Sequence, residues 1–350
     1  MSGAGHLLQV EDLSVSFETE GGTVHAVDAV SFVADAGEIL CVVGESGSGK
    51  SVMTSSLIGL TRAENATISG RATFDGVELV GAPERTLERI RGAQVALIPQ
   101  DPMSALDPVL RIGHQIAEQI RVHTSVSRRA AEEQAVALME RVGIPQARTR
   151  SRAFVHEFSG GMRQRIMIAM ALSCRPKLIV ADEPTTALDV TIQAQILHEL
   201  AGLCHETGTA LILVTHDFGV VAELADRVIV MYGGRIVEQA AVAELFDDPQ
   251  HPYTWGLLGS VPRVDRPRAK RLPTISGAPP SLIRPPAGCH FAPRCPHAFE
   301  RCGEVPPLAA HSRERPEHRD RCWLDVAEKR RRRVVGGDIG LAGGKETIVA

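Results

Sequence analysis

Three short, nearly unbroken apolar runs mark the chain. They are ILCVV in "GEILCVVGESGSGK" (residues 37–50), LIVA in "KLIVADEP" (177–184) and LILV in "ALILVTHD" (210–217). Each ends abruptly at small or polar residues, as strands buried on both faces do. Helical spacing separates them. "SRRAAEEQAVALMERVGI" (127–144) has apolar positions at helical periodicity, "SGGMRQRIMIAMAL" (159–172) reads as a helix opened by a small-residue turn, and "FGVVAELADRVIVMYGGRIVEQ" (218–239) reads as helix then strand. The alternation predicts an α/β fold whose ligands collect at the carboxyl ends of the strands.

The polar residues at those strand ends carry chemistry. Gly44, Gly49, Lys50 and Ser51 fit G-x-x-x-x-G-K-[ST], with Glu45 and the small residues Ser46, Gly47 and Ser48 between them. Backbone N–H groups that converge on phosphate oxygens require small residues tolerant of positive φ. Lys50 supplies a mobile cation for the outer phosphates, the Ser51 hydroxyl can ligate Mg²⁺, and the following helix turns its positive end toward the same anions. After the second run, Asp182 can hold Mg²⁺ and Glu183 can activate the attacking water, the two roles phosphoryl transfer requires. His216, just past the third run, falls at the same edge, beside the expected γ-phosphate. A second anion cradle opens the helix after Ser159, Gly160 and Gly161; one chain holding one nucleotide needs it only if it serves a nucleotide bound to another chain.

With these motifs in this order, the sequence resembles the ATP-binding cassette family: the phosphate loop, a glutamine loop at Gln100, the signature "FSGGM", "LIVADE", "TALD" around Asp189, and "THD" at His216. The resemblance covers residues 7 to about 260. It implies a nucleotide-binding domain over residues 1–240, with a RecA-like core and a helical subdomain at about 101–159. It further implies a head-to-tail dimer that sandwiches two ATP molecules. In that dimer Ser159, Gly160 and Gly161 meet the partner's ATP, Gln100 links the γ-phosphate and Mg²⁺ to the helical subdomain, and Asp189 lies at the dimer interface. Met162 and Phe158 depart from the residues common in the signature, yet neither removes the Ser-Gly-Gly backbone donors. Phe17 in "LSVSFETEGG" is the candidate to stack on adenine, with a strand-end core phenylalanine as the alternative.

Finer wording resembles the dipeptide, oligopeptide and nickel importer group: "IPQDPMSALDPVLRIGHQI" (98–116), "DEPTTALDVTIQAQIL" (182–197), "HPYTWGLLGSVP" (251–262) and a cysteine-bearing extension over 241–328. The implied partners are a second cassette ATPase, by the group's habit a paralogue, two transmembrane permease subunits and an extracytoplasmic substrate-binding protein. The implied place is the cytoplasmic face of the inner membrane, held there peripherally. Cargo stays open among dipeptide, longer peptide and nickel. A cassette ATPase acting on DNA usually carries a long insertion between phosphate loop and signature, whereas Lys50 and Ser159 are 109 residues apart. A cassette translation factor would normally hold two cassettes in one chain.

Charge and cysteine content sharpen the extension. The net charge of −4 gives no general argument for nucleic acid, but residues 251–350 hold 18 Lys/Arg against 10 Asp/Glu. "EKRRRR" (328–333) is the densest basic run and reads as the start of a solvated, disordered end over 329–350. No apolar run nears the ~18 residues that cross a bilayer, and the N-terminus lacks a signal-peptide pattern. Cys41, Cys174 and Cys204 read as buried small hydrophobes. The other four cysteines follow Cys289-x5-Cys295-x6-Cys302-x19-Cys322, inside a region holding 12 of the 21 prolines. So proline-rich a segment builds no good core alone and needs a staple. Four thiolates can enclose a [4Fe–4S] cluster or Zn²⁺; the C-x₂₋₄-C knuckles common in zinc sites are absent, and longer loops suit a cluster better. Spacing alone leaves cluster, zinc and no metal open, with His290 and His297 as alternative ligands. The family resemblance implies the cluster.

Overall fold

A computed structural model describes residues 5–185, 189–261, 274–310 and 312–335. Strands β1 (Leu8–Thr19), β2 (Gly22–Ala34) and β3 (Ile39–Val43) lead into helix α1 (Lys50–Leu57), then β4 (Ala66–Phe74), β5 (Val77–Glu78), α2 (Glu84–Ile90) and β6 (Val95–Ile98). Helices α3 (Ile112–His123), α4 (Arg128–Arg141), α5 (Ala147–Arg150) and α6 (Gly160–Leu172) precede β7 (Leu178–Asp182), α7 (Val190–Thr207) and β8 (Ala210–Val214). The remainder is α8 (Phe218–Leu224), β9 (Arg227–Tyr232), β10 (Arg235–Ala241), α9 (Val242–Asp247), α10 (Pro252–Ser260), β11 (Ala309–Ala310), β12 (Arg319–Asp320) and α11 (Val326–Val335).

The chain divides into two compact units. One comprises residues 1–8, 34–39 and 74–214. Within it β6, β7 and β8 run parallel, with Val95 opposite Leu178 and Leu178 opposite Ala210. Its helices α3 and α4 pack through one face each. Ile112, Ile116 and Ile120 recur every fourth residue along α3 and are all but inaccessible, as are Ala131, Ala135 and Met139 along α4. Ser127 caps α4 by accepting from the Ala130 N–H. α4 occupies the stretch of helical periodicity at 127–144, and α3 precedes it.

The second unit comprises residues 9–33, 40–73 and 215–350. β3 lies parallel to β9, β9 antiparallel to β10, and the extension adds β12 and β11 beyond β10. The apolar run of β3 is buried along its whole length, because both faces of that strand are covered. β2, β1 and β4 lie side by side in a separate sheet.

Two sequence expectations change. Glu328–Arg333 does not begin a solvated end: it lies in α11, and the ammonium of Lys329, 1% exposed, donates to both carboxylate oxygens of Asp320 at 2.7 Å. A buried carboxylate on β12 draws one residue of the basic run inward, and Asp248 pairs with Arg330 and Arg333. Residues 336–350 lie outside those described. Cys174 is half-buried, its thiol 3.8 Å from the Gln119 carbonyl, whereas Cys41 and Cys204 are buried as expected. Burial pushes the thiols of Cys41 and Cys204 up to about 12. Neither will react with iodoacetamide at pH 8 in the native protein, while both will after unfolding, as peptide mass mapping can check.

Candidate nucleotide site

The second unit builds the phosphate loop. β3 delivers the chain to Gly44, and the loop closes on α1 at Lys50. Gly47 and Gly49 take φ of 77° and 100°. A side chain at Gly49 would come within 2.3 Å of the Ala26 carbonyl oxygen, and one at Gly44 within 2.3 Å of that of Met231. Glycine at both positions is thus a steric requirement of a loop pressed against its neighbours. Lys50 is buried and bends back, donating to the carbonyls of Gly44 at 2.8 Å and Glu45 at 3.0 Å. Ser46, Gly47 and Ser51 are exposed at the mouth, and Ser48 is buried.

His216 belongs to the same unit. The Thr215 N–H donates to the Val42 carbonyl at 3.2 Å, which ties the histidine's segment to β3 two residues before Gly44. On its other side Asp217 caps α8 by accepting from the N–H groups of Gly219 and Val220. The imidazole itself is exposed. Phe17 is half-buried near the end of β1, on the face that buries Leu13 and Val15.

The first unit builds a second group. Gln100 follows β6 and is exposed; Asp101 then caps a short 3₁₀ turn by accepting from the Met103 N–H. Asp182 ends β7, and Glu183 follows with φ of 44°, its N–H donating to the Val214 carbonyl at 3.0 Å. A non-glycine residue in the left-handed region carries strain of order 1–3 kcal/mol, which collects at functional positions. Ser159 caps α6 through the Met162 N–H, leaving Gly160 exposed at the helix start. Met162 takes a bond from Arg150 on its sulfur, and Phe158 is buried beneath the same guanidinium, so both unusual signature residues have local packing roles. Gln100, Gly160, Gln164, Pro184 and Thr185 line one cleft of ≈ 120 Å³. Asp189 is exposed and caps α7 by accepting from the Ile192 N–H; residues 186–188 before it lie outside those described.

Cys289, Cys295, Cys302 and Cys322 all line a single small cavity in the second unit, walled otherwise by His251, His297 and apolar groups such as Phe291 and Leu324. The Cys289 N–H donates to the Cys302 carbonyl at 2.9 Å. Burial raises the thiols of Cys289, Cys295 and Cys322, the last two to about 11 and about 12, so they stay protonated unless a cation draws the proton off. Among the described residues, no three His, Cys, Asp or Glu side chains are grouped closely enough to hold a metal ion, so their spacing gives no support to the expected cluster or to zinc. His290 does not line that cavity, its Nδ1 lying 2.7 Å from the Gly233 carbonyl oxygen, whereas His297 does line it. Motif reading missed two residues that touch the phosphate loop, Tyr253 and Arg294. No local signal marks Arg294, since its partner Glu45 lies 249 residues away.

Among the described residues, no helix is long and apolar enough to cross a membrane. Residues 27–186 match the ABC transporter family model, and residues 237–302 match that of the oligopeptide/dipeptide transporter C-terminal region. The oligopeptide transport ATP-binding protein OppD of Salmonella typhimurium is 52% identical over 93% of this chain and 96% of its own length. The dipeptide transport ATP-binding protein DppD of Bacillus subtilis is 46% identical over 95% of this chain and 98% of its own. Among solved structures, the dimeric ATP-binding cassette MJ0796 in a post-hydrolysis state with ADP and Pi covers 67% of this chain and 98% of its own, at 23% identity and a TM-score of 0.61, a likeness of fold. Two family models in tandem and relatives matched along nearly their whole length show that this chain belongs to the ABC transporter family, among the ATP-binding proteins of its oligopeptide/dipeptide group.

Proposed function

We propose that the chain hydrolyses ATP to energise the import of peptides through partner membrane subunits. The observation that carries this reading is the phosphate loop, shaped by glycines that admit no side chain and closed by a buried lysine, in a chain whose relatives are named as peptide-transport ATP-binding proteins. In this reading residues 44–51 hold the phosphates, with Phe17 against the adenine. Ser51, Gln100 and Asp182 would hold Mg²⁺, which neutralises charge on the phosphates. Glu183 takes the proton of the attacking water, and His216 steadies the γ-phosphate. Ser159, Gly160 and Gly161 serve the nucleotide of a second cassette, with Asp189 beside them at that interface. The cassette domain spans residues 1–240, its helical subdomain about 101–159.

The same reading places the chain on the cytoplasmic face of the inner membrane, against two permease subunits. A paralogous cassette completes the pair, and an extracytoplasmic binding protein delivers cargo. Reconstitution of the full complex in proteoliposomes tests it: peptide uptake must depend on ATP and on this chain. Uptake of nickel in place of peptide would reassign the cargo, and tight copurification with DNA or ribosomes without permeases would overturn transport.

For the extension over 241–328 we propose a [4Fe–4S] cluster held by Cys289, Cys295, Cys302 and Cys322. Convergence of the four thiols on one small cavity supports it. The cluster's contribution would be folding free energy for a proline-rich segment. Anaerobic purification followed by iron, sulfide and zinc analysis decides it: a colourless protein with stoichiometric zinc, or with no metal, removes the cluster.

A further inference from the structure

Glu45 puts a carboxylate inside a loop read as binding the most anionic part of ATP. An unneutralised carboxylate there would repel phosphate and compete with it for Lys50, whose ammonium already bonds the Glu45 carbonyl. The structure deals with that charge through a residue from the far end of the chain. Arg294, 6% exposed, grips the Glu45 carboxylate with two nitrogens, at 2.7 and 3.2 Å. The same guanidinium donates to the Tyr232 hydroxyl at 3.2 Å and to the carbonyls of Ile275 at 3.1 Å and Ser276 at 2.9 Å. All three of its nitrogens are engaged, so the fork has one orientation.

Two further contacts act on the same loop. The Tyr253 hydroxyl accepts from the Glu45 N–H at 2.8 Å. The Gly234 N–H donates to the Ser48 carbonyl at 3.0 Å, and the preceding Gly233 carbonyl is held by His290. Phe291, 2% exposed, packs against both Tyr232 and Tyr253. His290, Phe291 and Arg294 all fall between Cys289 and Cys295. One short stretch of the extension thus fixes the first half of the phosphate loop in both shape and charge.

We propose that Arg294 is a positioning residue of the nucleotide site: by neutralising and orienting Glu45 it keeps the phosphate loop receptive to the triphosphate. The proposal rests on the reading of residues 44–51 as the ATP loop. Removing the guanidinium leaves a free carboxylate beside the phosphates, so the loss falls on ATP affinity and not on the chemical step.

The test uses the full chain in its complex with the membrane subunits, with MgATP as the probe. Arg294→Met is expected to raise KM for ATP about ten-fold and to change kcat less than about three-fold. Adding Glu45→Gln to that variant removes the stranded charge and is expected to bring KM most of the way back. A role confined to holding the extension in place would show no such rescue. Arg294→Gln, which keeps a donor for the Ile275 and Ser276 carbonyls, is read by the same criteria if the methionine variant does not fold. An unchanged KM in the folded single variant, or a double variant as weak as the single, overturns the proposal. Lys50→Ala separates the two readings: if it leaves ATP binding intact, the ATP loop itself is misassigned; if it abolishes binding, an unchanged Arg294 variant counts against the present proposal alone.

Discussion

Glu183→Gln is expected to lower ATP hydrolysis by ~10²–10⁴-fold while nucleotide binding persists, the magnitude general-base catalysis supplies. Glutamine has the shape of glutamate, so it can keep the left-handed backbone at φ 44° and the bond from its N–H to the Val214 carbonyl. What it lacks is a carboxylate to take the proton of the attacking water. The neighbouring Asp182 and the phosphate loop are untouched, so affinity for ATP should stay within about three-fold. Single-turnover hydrolysis in the reconstituted complex, read beside equilibrium binding of ATP, separates the two effects. Turnover like that of the unmodified chain would take the base role away from Glu183. Glycine at 183 is a weaker probe, because it would relieve the backbone and delete the carboxylate together.

Lys329→Met should destabilise the second unit by about 3–5 kcal/mol, the typical effect of removing one partner of a buried ion pair. The context makes this position sensitive. Asp320 and Lys329 are 0% and 1% exposed, and Asp320 sits directly across from Glu238 in the β10–β12 register. Glu238 is itself wholly buried, accepting from the N–H groups of Gln250 and His251 and bonded to His318. Without the ammonium, two buried carboxylates face each other with one charge uncompensated. Replacing both partners, as in Lys329→Met with Asp320→Leu, should recover most of the loss, because it strands no charge. Guanidinium unfolding of the full chain reports both variants. A single variant within about 0.5 kcal/mol of the parent would show that the pair does not hold the extension to β10.

The parts of this chain that were legible in the sequence are those where chemistry restricts residue type over a few consecutive positions. The glycines of residues 44–51 announce a loop with no room for side chains, and the structure supplies the reason in the nearby carbonyls of Ala26 and Met231. The run of β3 reads as a buried strand because nothing polar interrupts it. Contacts joining distant segments left no such trace. Lys329 sits in a run of basic residues that, taken alone, belongs in water; its buried partner lies on a two-residue strand too short to have a pattern. Arg294 looks like any arginine of a proline-rich loop until Glu45 is placed beside it. The four cysteines fall between these cases. Their spacing advertises a shared purpose, but their facing one cavity could be seen only in three dimensions.

The wiring of Glu238 bears on how the protein is made. Its two backbone donors follow it within 13 residues, but His318 comes 80 residues later, and Asp320, which lies across from it, receives its ammonium from Lys329 later still. A ribosome adding ~5–20 residues per second delivers that histidine on the order of 5–15 s after β10. Through that interval the edge of β10 and its carboxylate lack their final covering. The second unit therefore completes its folding only once His318 and Lys329 have been made, and a ribosome that stops before them releases a cassette with an open strand edge, ready to pair with another chain.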